Sequence, residues 1–160
     1  MSKPQSSGAS SSKSKEIKII TKQVYTLDDI KNDLGKIKLL YIFSLTGSIS
    51  EKALSYLIYE MKEKGYDLKY DFTMIGSIPS SKKLLNDLLA LKYTGLIETT
   101  ATKKLAISSL GREFLEKVGN LISDEEKDLI KKLVEELRVK IKPIDVEVEV
   151  RYRGKTRRLL

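Results

Sequence analysis

The residues of this chain best equipped for chemistry are donors of hydrogen bonds and positive charge. Ser80, Ser81, Lys82 and Lys83 stand together at the head of a leucine-rich run, with Asn86 one helical turn further on and Lys92 and Tyr93 at its end. Serine hydroxyls, lysine ammoniums and the amides of a helix start all donate to oxyanions, so the cluster suits phosphate oxygens. Lys103 and Lys104 form a second basic pair, and Arg151, Arg153, Lys155, Arg157 and Arg158 a third group near the end of the sequence. The chain has neither Cys nor His. That excludes thiol redox chemistry, thiolate or imidazole metal sites, and every Ser-His or Cys-His nucleophile. Carboxylates are present, but without a Gly-rich phosphate loop, a metal-ligand cluster or an activated nucleophile. The sequence therefore predicts binding rather than catalysis, with no cofactor and no metal.

Charge is concentrated at the two ends. Of the net +8, residues 1–16 contribute +2 and residues 151–160 contribute +5, which leaves the body of the chain at +1. Terminal segments of this kind can reach for phosphates, or simply keep a protein in solution. No apolar run approaches the roughly 18 residues of a membrane span, and MSKPQSSGASSSKSK lacks a signal-peptide core, so a cytoplasmic protein is expected. Scarce Asn and Gln with abundant Lys, Glu and Ile match the drift of proteins from hot-living, here archaeal, sources.

These donors need elements to hold them. Residues 1–15 have almost nothing to bury and read as a disordered Ser/Lys tail, and EIKIITKQVYT over residues 16–26 reads as a weak strand or arm. Leu27, Ile30, Leu34, Ile37, Leu40 and Tyr41 mark the apolar face of a first helix over residues 28–45, with Thr26 as its cap. Gly47 ends it, and Ala53, Leu54, Leu57, Ile58 and Met61 form the stripe of a second helix, capped by Ser48 or Ser50. Tyr41, Tyr56 and Tyr59 lie on or beside these stripes and read as core.

An extended stretch, YDLKYDFTMIG, leads to a third helix capped by Ser80 or Ser81. Its buried side is assigned to Leu84, Leu85, Leu88, Leu89 and Leu91. Two short strands, Leu96 to Thr99 and Lys104 to Ile107, are joined by the polar link TATK. Ser108 or Ser109 opens a fourth helix through Phe114, Leu115 and Val118. Ser123 with Glu126 makes a capping box for a fifth, running to Pro143. Beyond it IDVEVEVRYRG alternates Val146, Val148, Val150 and Tyr152 with charges, the period of a half-buried strand.

The run SKKLLNDLLALKYTGLIETTATKKLAISSLGREFLEKV resembles the stretch of archaeal and bacterial winged helix-turn-helix regulators in which a recognition helix ends at GLI, a wing follows, and a Gly and a Phe-Leu pair open the next helix. The landmarks here are Gly95, Leu96 and Ile97, then Leu105 to Ser108, then Gly111 and Phe114. The likeness covers about residues 35–120 in broad pattern and is specific over Ser80 to Val118. Ser108 and Ser109 depart from it, standing where an acidic residue or Lys is more usual, and the wing is short with no Arg at its tip. The resemblance implies a mainly α fold with a small β-hairpin (α+β), organised as a winged-helix domain over 16–120, an amphipathic helix over 121–142 and a basic strand or tail over 143–160.

It further implies a transcription regulator of double-stranded DNA. Helix 80–94 would lie in the major groove, Asn86 would suit adenine, and Lys92, Lys103 and Lys104 would contact phosphate. Leu129, Ile130, Leu133, Val134 and Leu137 form a stripe that would serve as a homodimer seam or cover the back of the domain. Two other partners stay open. One is a protein in a replication, transcription or division assembly, captured by the edge of the C-terminal strand; the other is RNA, held by the basic tails.

Overall fold

The structure, a computed structural model, describes residues 25–159 in backbone and residues 25–151 in side chains. The expected tail over residues 1–15 and almost all of the expected arm over residues 16–26 lie outside the described residues. The rest is mainly helical with a small antiparallel sheet.

Thr26 opens α1 (Leu27–Lys31) with a reciprocal cap: its hydroxyl accepts from the Asp29 amide and the Asp29 carboxylate accepts from the Thr26 amide. The single first helix expected over residues 28–45 is in fact two. Asp33 turns its carboxylate onto the Lys36 amide and caps a new helix, α2 (Leu34–Thr46), because a short acidic side chain competes with the backbone for helical hydrogen bonds. α2 is the central pillar: Ile37, Leu39, Leu40, Ile42 and Phe43 are fully buried. Gly47 ends it at φ 76°, a left-handed conformation in which side chains other than glycine are strained.

Strand β1 (Ser48–Ile49) follows, then α3 (Glu51–Glu63), capped by Ser50 through the Ala53 amide. Ala53, Leu54, Leu57, Ile58 and Met61 are buried as the stripe predicts. The next segment is more than an extended stretch. β2 (Thr73–Ile75) and β3 (Ile78–Ser80) pair as an antiparallel hairpin around the two-residue turn Gly76–Ser77, which the Tyr56 hydroxyl holds by donating to the Ser77 carbonyl. Tyr59 and Phe72 meet edge to face at 5.6 Å beneath it.

Then come α4 (Lys82–Tyr93), β4 (Ile97–Thr99), β5 (Leu105–Ile107) and α5 (Ser109–Val118). β5 is the middle strand of a three-stranded sheet, with β4 on one side and β1 on the other. Ser108 is the cap of α5: its hydroxyl accepts from the Gly111 amide and donates to the Gly95 carbonyl, tying α5 to the end of α4.

The last helix, α6 (Asp124–Leu159), corrects the sequence reading most. Val146, Val148 and Val150 are helical, and among the described residues no strand follows Pro143, which sits inside the helix. A proline there removes one amide and frees the carbonyl of Val139. Val139 is 81% exposed, so water is at hand to satisfy that carbonyl. The helix is also held from outside. Asp145 accepts from the Ser50 amide at 2.6 Å, Lys104 bridges Asp145 and Glu149 at 2.8 and 3.1 Å, and Lys52 reaches Glu147. Acids at i and i+4 meet one lysine only on a helix, so tertiary contacts override the β-propensity of the valines.

The proposed dimer seam is corrected too. Ile130, Leu133, Val134 and Leu137 are buried within this chain, where α6 packs most extensively on α3, and only Leu129 of the five is exposed. At the start of α6, Ser123 accepts from the Glu126 amide as expected, but the Glu126 carboxylate goes to Lys38 at 2.6 Å and the Tyr66 hydroxyl at 2.8 Å. Hydrogen bonds from Lys38 and Tyr66 hold Glu126 below the usual carboxyl value of 4.5 against the effect of burial. A depressed carboxyl adds stability that is complete above its unfolded value and lost as pH falls through the folded one. Glu126→Gln is therefore expected to flatten the fall in thermal midpoint from about pH 5 downward. A variant that loses stability with acid as steeply as the parent contradicts this.

Candidate functional site

The donors singled out in the sequence converge on α4, and its capping decides which of them face outward. The Ser81 hydroxyl accepts from the Leu84 amide and is buried, so it caps the helix rather than offering a donor to a ligand. Ser80 is half-buried in β3, opposite Thr73. Lys82 is exposed, and Asn86 is exposed one turn further along. Lys92 is half-buried. Tyr93 is 59% exposed and meets Tyr25 edge to face at 6.1 Å.

Beneath the first turns of α4 lies a buried polar network. The Tyr70 hydroxyl donates to Asp87 at 2.6 Å, Lys36 bridges Asp87 and Asp33 at 3.3 and 2.6 Å, and Lys83 approaches Asp87 at 3.6 Å. The Lys83 ammonium also lies 4.7 Å from the centre of the Tyr70 ring, a cation–π distance. Burial pushes the Tyr70 phenol far above its usual value, and the Asp87 carboxylate adds to that. Burial opposes the charge on Lys36, but Asp33 and Asp87 outweigh it and raise the ammonium above its usual value. This network fixes the helix against α2. Both lysines at the head of α4 are exposed, and Lys83, its side chain 53% exposed, is the one that also leans onto Asp87 and the Tyr70 ring.

The hairpin lysines divide where those of α4 do not. Lys103 is exposed at the β4–β5 turn with φ 65°. Lys104 is turned back onto α6, its side chain only 13% exposed between Asp145 and Glu149. Burial works against its charge, but the two carboxylates prevail and hold the ammonium above the usual lysine value. A phosphate would have to displace both acids to reach it. Arg151 is exposed and pairs with Glu147 at 3.5 Å. The side chains of Arg153, Lys155, Arg157 and Arg158 lie outside the described residues, on the continuing helix.

No family model matches the chain, and neither a curated protein nor a solved structure is similar to it at a significant level. Its own geometry must carry the reading. Among the described residues no group of three acidic side chains comes together as a metal site, and no helix is long and apolar enough to cross a membrane.

One surface feature departs from the sequence reading. Leu85 and Leu89, which the leucine pattern places on the buried side of α4, are 38% and 57% exposed. Leu84, Leu88 and Leu91 occupy the core with Asp87 and Ala90. The signal was present in the helical phase: at 3.6 residues per turn, five leucines in eight positions cannot share one narrow face. Leu85, Leu89 and Tyr93 instead form an exposed apolar stripe beside Lys82 and Asn86.

Proposed function

We propose that this chain is a winged-helix protein that binds double-stranded DNA, with α4 as the reading helix and the β4–β5 hairpin as the wing. The observation that carries the reading is the exposure of Lys82 and Asn86, one turn apart on the leading half of the helix that precedes the hairpin. Two further features support it. With the β2–β3 hairpin between α3 and α4 set aside as an insertion, the order helix, strand, helix, helix, hairpin, with β1 closing the far edge of β5, is the arrangement this fold uses, and Lys103 stands exposed at the β4–β5 turn. Because the stripe on α6 is buried within the protomer, one protomer is the reading unit in this proposal. On this reading the chain would act as a regulator of transcription.

The test is a titration of duplex DNA across salt concentrations. Lys82→Ala/Asn86→Ala is expected to weaken binding roughly tenfold or more and to lower the salt slope by about 1, since one phosphate contact releases about one counterion. Absence of binding at low salt, or a double variant indistinguishable from the parent, contradicts the proposal.

A second reading has an observation of its own. The stripe of Leu85, Leu89 and Tyr93 is more apolar than a groove-reading face requires, and it favours a protein partner at α4. Capture through a C-terminal strand lacks its edge, since that segment is helical. Leu89→Ser separates the two readings: DNA affinity that survives this change but falls with Lys82→Ala assigns the helix to nucleic acid.

A further inference from the structure

Away from α4, a cavity of about 200 Å³ opens between β1, α3 and α6. At about 30 Å³ per molecule that is the space of roughly seven waters, or of a small ring or short chain with one polar head. Its floor is apolar, made by Ile49, Leu57, Val134 and Ile141. Arg138 and Lys142, one helical turn apart on α6, stand at its polar side.

The charge around this cavity is unbalanced. The third charged group in its wall, Asp145, is already neutralised: it accepts from the Ser50 amide at 2.6 Å and pairs with Lys104 at 2.8 Å. Arg138 donates one N–H to the Leu45 carbonyl at 3.1 Å, which leaves most of its five donors available. Among the described residues, neither Arg138 nor Lys142 forms an ion pair with a carboxylate. An apolar floor beside two uncompensated cations is complementary to one class of ligand.

We propose that this cavity binds a small amphipathic carboxylate, with its hydrocarbon part on the floor and its oxygens on Arg138 and Lys142. The inference stands apart from the reading of α4.

The test uses the full chain with its isoleucine and valine methyls labelled for NMR, and with benzoate, hexanoate and the neutral benzyl alcohol as probes. Both acids are expected to saturate and to shift the methyls of Ile49, Val134 and Ile141 while leaving that of Ile30 in place. Arg138→Gln and Lys142→Gln are each expected to weaken benzoate roughly tenfold, the effect of one charge-assisted hydrogen bond. Lys142 is exposed, so its variant keeps the fold intact if the Arg138 variant does not. Failure of both acids to saturate at their solubility limits overturns the proposal. So does equal binding of benzyl alcohol, undiminished affinity in the charge variants, or shifts confined to methyls elsewhere.

Discussion

Replacing Gly111 by alanine is expected to destabilise the chain by about 3 kcal/mol, the upper end of the cost of overpacking a core. A β-carbon at that position would lie 2.1 Å from the Leu96 carbonyl oxygen and 2.7 Å from Ile107 Cγ1. The isoleucine can rotate. The carbonyl cannot, because it belongs to the backbone at the start of β4 and accepts from the Ser108 amide at 3.0 Å. Either α5 withdraws from the sheet, uncovering Phe114 and Val118, or that bond breaks. Gly119→Ala is the control. It has an ordinary helical φ of −61°, and its β-carbon would come no closer than 3.7 Å to the flexible tip of Lys127, so little change is expected. The check is the denaturant midpoint of each variant at constant slope. A Gly111→Ala protein that unfolds with the parent would show that α5 and β4 are not so closely apposed.

The second large effect is expected at Asp87. Asp87→Ala leaves the buried Tyr70 hydroxyl without its acceptor and Lys36 with Asp33 alone, for a loss of about 2–3 kcal/mol. Asp87→Asn keeps an acceptor for Tyr70 while removing the charge, and should recover part of that loss. The decisive measurement is the cycle with Tyr70→Phe. Once the hydroxyl is gone, Asp87→Ala costs less than it does in the parent, by about 1 kcal/mol or more. Additive losses would mean that the tyrosine and the aspartate do not share a bond.

Local signals in the sequence reached much of this fold. Serine caps were readable at Ser50, Ser81 and Ser108, where a short hydroxyl before an apolar period has one good use, and the β4–β5 hairpin was placed to within about a residue at each end. What escaped was decided at a distance or by competition. The break at Asp33 sets a side-chain cap against an otherwise continuous apolar face. The β2–β3 hairpin carried a Gly-Ser turn signal between two short runs, but its strands are too short and too exposed to show alternation. Residues 144–151 have the period of a strand and become helix because Lys104 and the Ser50 amide, remote in sequence, meet acids at helical spacing.

The same limit governs the candidate site. The exposure of Lys82 and Asn86 follows from helical phase and was legible. The withdrawal of Lys104 was not, since it depends on two acids of a remote helix that composition does not announce.

The final helix, about 54 Å long at 1.5 Å per residue, has a practical consequence. It is footed on the domain through Ile130 to Ile141 and is pinned to the β4–β5 hairpin at Asp145 and Glu149. A carrier or surface tether attached at the C-terminal end therefore pulls on the hairpin before it loads the core. Immobilisation from that end would report on a perturbed β-ribbon.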